Sequence, residues 1–369
     1  MKTRGRLIGL LVAGLLGFVA GCDNERNFNT CKDAGADGDM DSGTDGDTDT
    51  GSTVPNGDYL DAIFAVASGD VFAVGTNGKI LHYDGLDWTW MESPTKEFLS
   101  GLWGNSHDNV FAVGRGGTLI RFDGDGWQFM SSPTGVDLVD VWGVADGEVF
   151  AVGKEGTIVR FDGEQWTPMG SGTVSNLSGV WGSSSSDVYA VGEPTDDGVV
   201  LHYDGSSWSY LEDVPPNPDP SPSPRYFPQH AVWGASPGDV YIAGDNELNP
   251  FEDCWGVSIA HFDGLAWKEV FKNTCVSEGP FLSLWGSSAE NVYTVSSAPE
   301  LYHFDGTQWT ELDPLSPVGE AFVQDIHGCS ATEFYAAGGY GYGYPITSWQ
   351  PEIWRHDGME WTPVFGPDE

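Results

Sequence analysis

The sequence predicts an all-β protein, a seven-bladed β-propeller with four antiparallel strands per blade that follows a disordered acidic N-terminal stalk. Three observations lead there. The motif DGxxW occurs seven times, at Asp84 to Trp88, Asp123 to Trp127, Asp162 to Trp166, Asp204 to Trp208, Asp263 to Trp267, Asp305 to Trp309 and Asp357 to Trp361. Its tryptophans are 39, 39, 42, 59, 42 and 52 residues apart, a spacing that marks a repeat architecture. Ahead of each motif stands a second phrase, such as "VWGSSSSDVYAVG" at Val180 to Gly192, "LWGNSHDNVFAVG" or "IHGCSATEFYAAG". Finally, the "DVYAV" stretch is apolar on both alternating faces, with Val188 and Ala190 on one and Tyr189 and Val191 on the other. Such a strand needs cover on both sides, which a sheet standing between two radial neighbours receives.

Taken in chain order, the first element is not part of the repeat. Lys2, Arg4 and Arg6 precede an apolar run from Leu7 to Ala20 that ends in "VAGC" at Val19 to Cys22, which reads as a signal peptide. The run is short for a membrane span. "VAGC" resembles the lipobox of bacterial lipoproteins, and that resemblance implies a thioether lipid on Cys22, cleavage before it, and acylation, for example by palmitate, of the new amino terminus. More than one acyl chain makes a stable membrane anchor. The expected organisation is a signal peptide over 1–21, a lipidated linker over 22–57 and the propeller over 58–369. The expected location is the bacterial cell envelope, lipid-anchored and extracytoplasmic. Asp23 resembles an inner-membrane retention signal, while the outer membrane, the cell surface and the periplasmic face all stay open.

The linker runs through "DAGADGDMDSGTDGDTDTG", where low hydrophobicity and dense like charge predict a disordered, self-repelling stalk. Its alternating aspartates suit a hard cation, but no glycine stands at the sixth position nor glutamate at the twelfth of a calcium loop. No cofactor and no metal site is expected. From Tyr59 onward 10 Lys and Arg face 45 Asp and Glu, and the whole chain has a formal net charge of -40. Nucleic acid and an anionic bilayer surface are therefore excluded as partners of the domain, since phosphate binding is driven by basic groups.

Each repeat parses into strands a to d. Strand a ends in the Leu/Val-Trp pair, b is the "DVYAV" stretch, c is "TILHYD"-like, and d begins at the DGxxW tryptophan. The unit starts on strand a near Leu60 and ends on strand d near Val364, so the ring is expected to close without a swapped strand. Trp103, Trp142, Trp181, Trp233 and Trp285, like the seven DGxxW tryptophans, are expected to be packing residues. No WD dipeptide and no regular Gly-Gly doublet follows strand b. "DGxxW" after "AVGxxGTIxxF" resembles the repeats of photosystem II assembly-factor-like and BNR/Asp-box propellers, although one residue tighter than the usual Asp-box. This similarity covers residues 60 to 365 and implies the fold; such propellers host unrelated functions.

Loop lengths carry the functional information. From the strand a aromatic or its equivalent to the first apolar residue of strand b the separation is seven residues in every unit, from Phe64 to Val71 through His327 to Phe334. All insertions fall in b-to-c or d-to-a connections, which share one face of a propeller. They concentrate in blades 4, 5 and 7, at 193–198, 212–229, 245–256, 272–280 and 338–350. Loops on a rigid scaffold are where binding resides, and these contain Tyr226, Phe227, Phe251, Trp255, Tyr340, Tyr342, Tyr344 and Trp349, rings of the kind enriched at interfaces and sugar sites. Blades 1 to 3 instead have minimal b-to-c turns with Lys79, Arg115 and Lys154, either an anion-attracting rim or solvated turn residues. Cys254 and Cys275 fall in adjacent loops, and a disulfide between them would add about 3 kcal/mol in the chain-entropy model. Cys31 and Cys329 pair only if the stalk folds back; free or intermolecular thiols are the alternatives.

No catalytic residues are assigned. His82, His202, His261 and His303 share a strand c register with Arg121, Arg160 and Arg355, which argues for a repeat position rather than a sialidase-type arginine triad or a ring of metal ligands. No Gly-rich phosphate loop, HExxH or GxSxG stands in the chain. The expected function is a monomeric, membrane-anchored binding or scaffolding propeller that recognises an envelope or surface protein or a glycan. The alternatives are a glycoside-active or lyase propeller with carboxylates in the central funnel, and a purely structural envelope component.

Overall fold

The computed structural model describes residues 57–145, 147–193, 199–211, 214–215, 228–249, 254–276, 280–296, 300–312, 321–342 and 348–366. Cys22, Cys31 and the acidic linker lie outside the described residues. The chain forms seven four-stranded antiparallel sheets, each made of consecutive strands in the order a-b-c-d. Blade 1 comprises Leu60–Ala67, Asp70–Gly75, Ile80–Tyr83 and Trp88–Trp90; blade 7 comprises Ala321–Ser330, Glu333–Tyr342, Ser348–His356 and Trp361–Phe365. No strand is exchanged between the first and last blades, as the repeat boundaries predict.

The motifs translate directly into contacts. Strand b is buried on both faces, with Val188, Ala190 and Val191 wholly inaccessible and Tyr189 nearly so. The Trp-Gly pair at the end of strand a works as a ring of knobs and holes: a Cβ on Gly143 would meet the Trp103 ring at 2.9 Å, one on Gly182 the Trp142 ring at 2.7 Å, one on Gly234 the Trp181 ring at 2.5 Å, and one on Gly286 the Trp233 ring at 2.6 Å. The tryptophans of blades 2 to 5 thus each lie on the next blade's glycine, a position no side chain can share. In the DG turns the aspartate carboxylate accepts two backbone N–H groups, as Asp84 Oδ1 does from Leu86 and Asp87 at 2.9 Å. The same pair of bonds recurs at Asp123, Asp162, Asp204, Asp263, Asp305 and Asp357. The following glycine is left-handed, φ 90° at Gly85, where a β-carbon is costly.

The strand c register is structural, as its repetition suggests. His82, His202 and His261 bond Asp70, Asp187 and Asp239 at 2.7, 2.7 and 2.8 Å, His303 bonds Asn291 at 2.7 Å, and Arg121 donates Nε–H to Asn109 at 2.7 Å. Arg160 bonds Glu148. Each partner is the first residue of strand b of the same blade, or, for Glu148, the residue just before it. Each base also lies over the strand b ring directly opposite, His261 stacked on Tyr241 at 4.2 Å and the Arg121 guanidinium over Phe111 at 5.5 Å.

Two insertions expected as loops are largely strand. In blade 5, strand b extends over Asp239–Asn249 and pairs Cys254–Phe262 out to Asn249 opposite Cys254. In blade 7, Glu333–Tyr342 pairs Ser348–His356 out to Tyr342 opposite Ser348. Backbone hydrogen bonding continues the ladder beyond the edge of the ring, so both blades raise β-hairpins where blades 1 to 3 have three-residue 3-10 turns.

Closure of the ring depends on buried polar groups. Asp325 in blade 7 accepts the Ile63 N–H of blade 1 at 3.0 Å, the Ser283 hydroxyl of blade 6 at 2.6 Å and the Ile326 N–H at 2.8 Å. His327 Nδ1 accepts the Ala65 N–H at 2.9 Å, and Glu333 accepts the Ser68 hydroxyl at 2.5 Å. Asp325→Ala would strand these donors in the interior, so a loss of about 3 kcal/mol is expected. Denaturant unfolding of the variant measures it; a loss below about 0.5 kcal/mol, the level of an ordinary surface change, would refute the latch.

Candidate functional site

The a-to-b and c-to-d turns form one face, and they are nearly interchangeable around the ring. In six of the seven turns of the first kind two residues separate the last and first paired positions, as Ser106 and Asn109, Ser184 and Asp187, or Ser236 and Asp239 show; in blade 3 the pairing stops at Gly143 and Val149. The opposite face is regular over blades 1 to 3 and singular beyond. In the regular part, Gly78, Gly117 and Gly156 of the b-to-c turns abut the carbonyls of Thr95, Thr134 and Thr173, where a Cβ would come to 2.2 to 2.3 Å. The d-to-a segments are held by local hydroxyl bonds such as Glu97 N–H to Thr95 at 2.9 Å and Ser175 N–H to Thr173 at 3.0 Å. Local side-chain acceptors of this kind fix a turn without a helix or ladder.

The three cations read from the minimal turns all lie on this face, and each has a local match. Lys79 pairs with Asp58 at 2.7 Å and lies over the Trp90 ring; Lys154 is 3.9 Å from Asp137; the Arg115 guanidinium covers Phe98 at 5.2 Å. Lys79 stands at the end of its turn, three places after the position that Arg115 and Lys154 share. An incoming anion would have to displace Asp58 or Asp137 to reach either lysine.

The expected aromatic residues separate. Tyr226, Phe227, Phe251 and Tyr344 lie outside the described residues. Trp255, Tyr340 and Tyr342 are on the paired strands of the two hairpins, their side chains outside the described residues. Trp349 is half-buried, edge-on to Phe322 at 4.6 Å, and Phe322 in turn meets Tyr59 at 5.4 Å. It is therefore braced against the closing seam instead of standing free in a loop. Cys254 and Cys275 lie on adjacent strands, with Trp255 opposite Val276 and Val257 opposite Asn273; their side chains lie outside the described residues. Cys329 sits at the closing seam, with Sγ 3.5 Å from the Ala65 carbonyl.

A polar group that sequence reasoning missed lies on the same face between blades 4 and 5. His230, at the inner start of strand a, is buried 3.7 Å from Glu193 and 3.4 Å from Asp245. The two carboxylates straddle an imidazole, in place of facing one another across open space as a glycosidase pair does. Histidine at that position has no counterpart in the other strand a segments, which is the signal that was available. In blade 7, Glu352 lies opposite Gly338 at the root of the hairpin. Its Oε2 is buried with no hydrogen-bond partner among the described residues, and desolvation pushes its carboxyl up to about 7.

No family model matches the chain, and no curated protein matches its sequence. Solved structures do match. A structure of YCF48 bound to D1 peptide is 14% identical with a TM-score of 0.57, covering 77% of this chain and 90% of that one. YCF48 from Cyanidioschyzon merolae is 17% identical with a TM-score of 0.56, covering 77% and 94%. The β-propeller domain of Cps50 (Swd1) from Myceliophteria thermophila is 11% identical with a TM-score of 0.52, covering 73% and 90%. These likenesses are to the propeller fold, and the expected similarity to photosystem II assembly-factor-like propellers holds at that level.

The Glu352 carboxyl gives a pH test. A carboxyl whose folded pKa lies above its unfolded value favours the folded state below the unfolded value, and this contribution is lost as pH rises through the folded one. Glu352→Gln is therefore expected to melt above the parent at pH 8 and level with it at pH 4. Equal melting differences at the two pH values would show that Glu352 does not titrate across this window.

Proposed function

We propose that the chain is a lipid-anchored propeller of the bacterial cell envelope, held at Cys22, that scaffolds a protein partner through the face of its b-to-c and d-to-a segments. The observation that carries this reading is the inequality of the two faces. One face is built of short turns, alike in length in six of the seven blades; the other is singular in sequence at blades 4, 5 and 7 and rises in β-hairpins at blades 5 and 7. Rigid scaffold beneath singular segments is the usual build of a recognition surface. The YCF48 structure with its D1 peptide is an instance of a propeller of this fold with a peptide ligand, and the extension to this chain is part of the proposal. The peptide ligand of that YCF48 structure is what favours a protein over a glycan here. The net charge of -40 selects a partner with a neutral or basic surface and steers its approach.

A photo-crosslinking residue placed in the full chain at Val174 or Gln350, both exposed on the variable face, is expected to capture one envelope protein, while Leu86 and Leu265 on the opposite turns capture none. Capture from the Leu86 or Leu265 positions alone would overturn the assignment of the face. The anchor is tested separately: Cys22→Ser should abolish labelling by radioactive palmitate and move the protein out of the membrane fraction. Retention of both label and membrane association in that variant would refute the anchor.

A further inference from the structure

The face of repeated turns holds one arrangement that is not repeated. At the seam between blades 1 and 2, Asp70 Oδ1 is 2.7 Å from His82 Nε2, and both Asp70 oxygens are 3.1 to 3.2 Å from Nδ1 of His107. The three ligand atoms lie within 4.8 Å of one another. Asp70 opens strand b of blade 1 and His82 is on strand c beside it, the recurring pair of the ring. His107 comes from the tip of the a-to-b turn of blade 2, which reaches across the seam. We propose that Asp70, His82 and His107 form a divalent transition-metal site that bridges the two blades.

The molecule contains its own controls. The same His–Asp pair exists in blade 4 as His202 with Asp187 and in blade 5 as His261 with Asp239. At the turn tips that face them, blades 5 and 6 carry Pro237 and Ala289, neither of which has a ligating side chain. The architecture of the repeat accounts for the pair but not for the third ligand. His107 has a different kind of support: its ring stands edge-on to Phe122 at 5.5 Å, with Phe72 at 6.0 Å, and its side chain keeps about half of its surface in solvent, where ions enter.

The donor set selects the ion. Two imidazole nitrogens and one carboxylate oxygen suit Zn2+, Ni2+ or Cu2+, with water completing the shell, whereas Ca2+ and Mg2+ take oxygen ligands. Bonds of about 2.0 to 2.2 Å put neighbouring ligand atoms of a tetrahedral zinc site about 3.3 Å apart. The present separations from Asp70, 2.7 Å to His82 and 3.1 to 3.2 Å to His107, lie within about 0.6 Å of that, and the two imidazole nitrogens, within 4.8 Å of each other, have to close up, a movement that a rotamer adjustment of the half-exposed His107 supplies. The inference is independent of the proposed partner, because this site is on the opposite face.

Zn2+ titration of the metal-stripped full chain by calorimetry tests it, with Cu2+ loading for electron paramagnetic resonance. The acidic linker adds weak cation affinity to every variant, so differences between variants are what counts. Losing an outer hydrogen-bond partner of a metal ligand already costs about tenfold in affinity. His107→Ala, which loses a ligand outright, is expected to weaken the tight Zn2+ site by about that factor or more and to reduce the Cu2+ nitrogen couplings from two imidazoles to one. His202→Gln is expected to bind as the parent does. Zn2+ should raise the melting temperature of the parent and of His202→Gln but not of His107→Ala, whose metal-free melting should match the parent's. Identical Zn2+ isotherms for the parent and His107→Ala, or an equal loss in His202→Gln, would overturn the site.

Discussion

The structure depends on one contact made repeatedly across the seams, the strand b ring of one blade set edge-to-face against the DGxxW tryptophan of the next. Phe72 meets Trp127 at 6.1 Å and 81°, Phe111 meets Trp166 at 6.1 Å and 80°, and Phe150 meets Trp208 at 6.5 Å and 80°. Tyr189 with Trp267, Tyr241 with Trp309 and Tyr335 with Trp88 continue the series. Edge-to-face geometry is the arrangement that aromatic quadrupoles prefer, and each such pair adds about 0.5 to 1.5 kcal/mol beyond burial. The last pair joins blade 7 to blade 1, so the closing seam uses the same contact as the internal ones. Between blades 6 and 7 the pattern shifts, with Trp361 turned onto Phe334 of its own blade at 4.9 Å and Tyr293 against Phe334 at 4.5 Å.

An acidic composition is often read only as solubility, but here much of it is consumed by the backbone. The DG aspartates accept paired N–H groups, which hold their carboxyls below the usual range at Asp84, Asp123 and Asp162. Acids at the start of strand b receive His82, His202, His261 and Arg160 of strand c. Asp140 of blade 3 accepts the Val180 N–H of blade 4 at 2.8 Å, the internal analogue of Asp325 at the closing seam. Innermost strands of neighbouring blades do not pair with each other, so their inward amides need acceptors from side chains. Carboxylates provide them with the strength of charge-assisted bonds.

The fold was legible because seven copies of one signal average out local ambiguity. The Trp-Gly pair, the DG turn and the doubly apolar strand b each recur, and each corresponds to a contact. What the sequence concealed occurs once. The blade 7 hairpin carries Tyr340-Gly341-Tyr342, an alternation that signals a strand, but its glycines and length suggested a loop instead. The His–Asp pair of blade 1 was visible as a register; the third member, His107, lies 37 residues from Asp70 and became its neighbour only through the crossing of one turn over a seam. The position of Trp349 likewise depended on Phe322, a residue no motif contains.

The closing seam also fixes where the chain enters. Strand a of every blade starts on the variable face, and in blade 1 this start is pinned there: Tyr59 lies against Phe98 and Phe322, Asp58 holds Lys79, and a Cβ on Gly57 would strike the Trp349 backbone. Anything attached ahead of Gly57 therefore joins the ring beside the blade 7 hairpin. An anchor and a partner would share one face, and the aromatic chain Tyr59, Phe322, Trp349 would link entry point to hairpin. Among the described residues no backbone hydrogen bond joins blade 7 to blade 1, so side chains carry the load across this seam. Asp325 and His327 cross this seam in the interior and Glu333 crosses it at the opposite face, so polar bonding runs through the depth of the seam that tether and ligand would load.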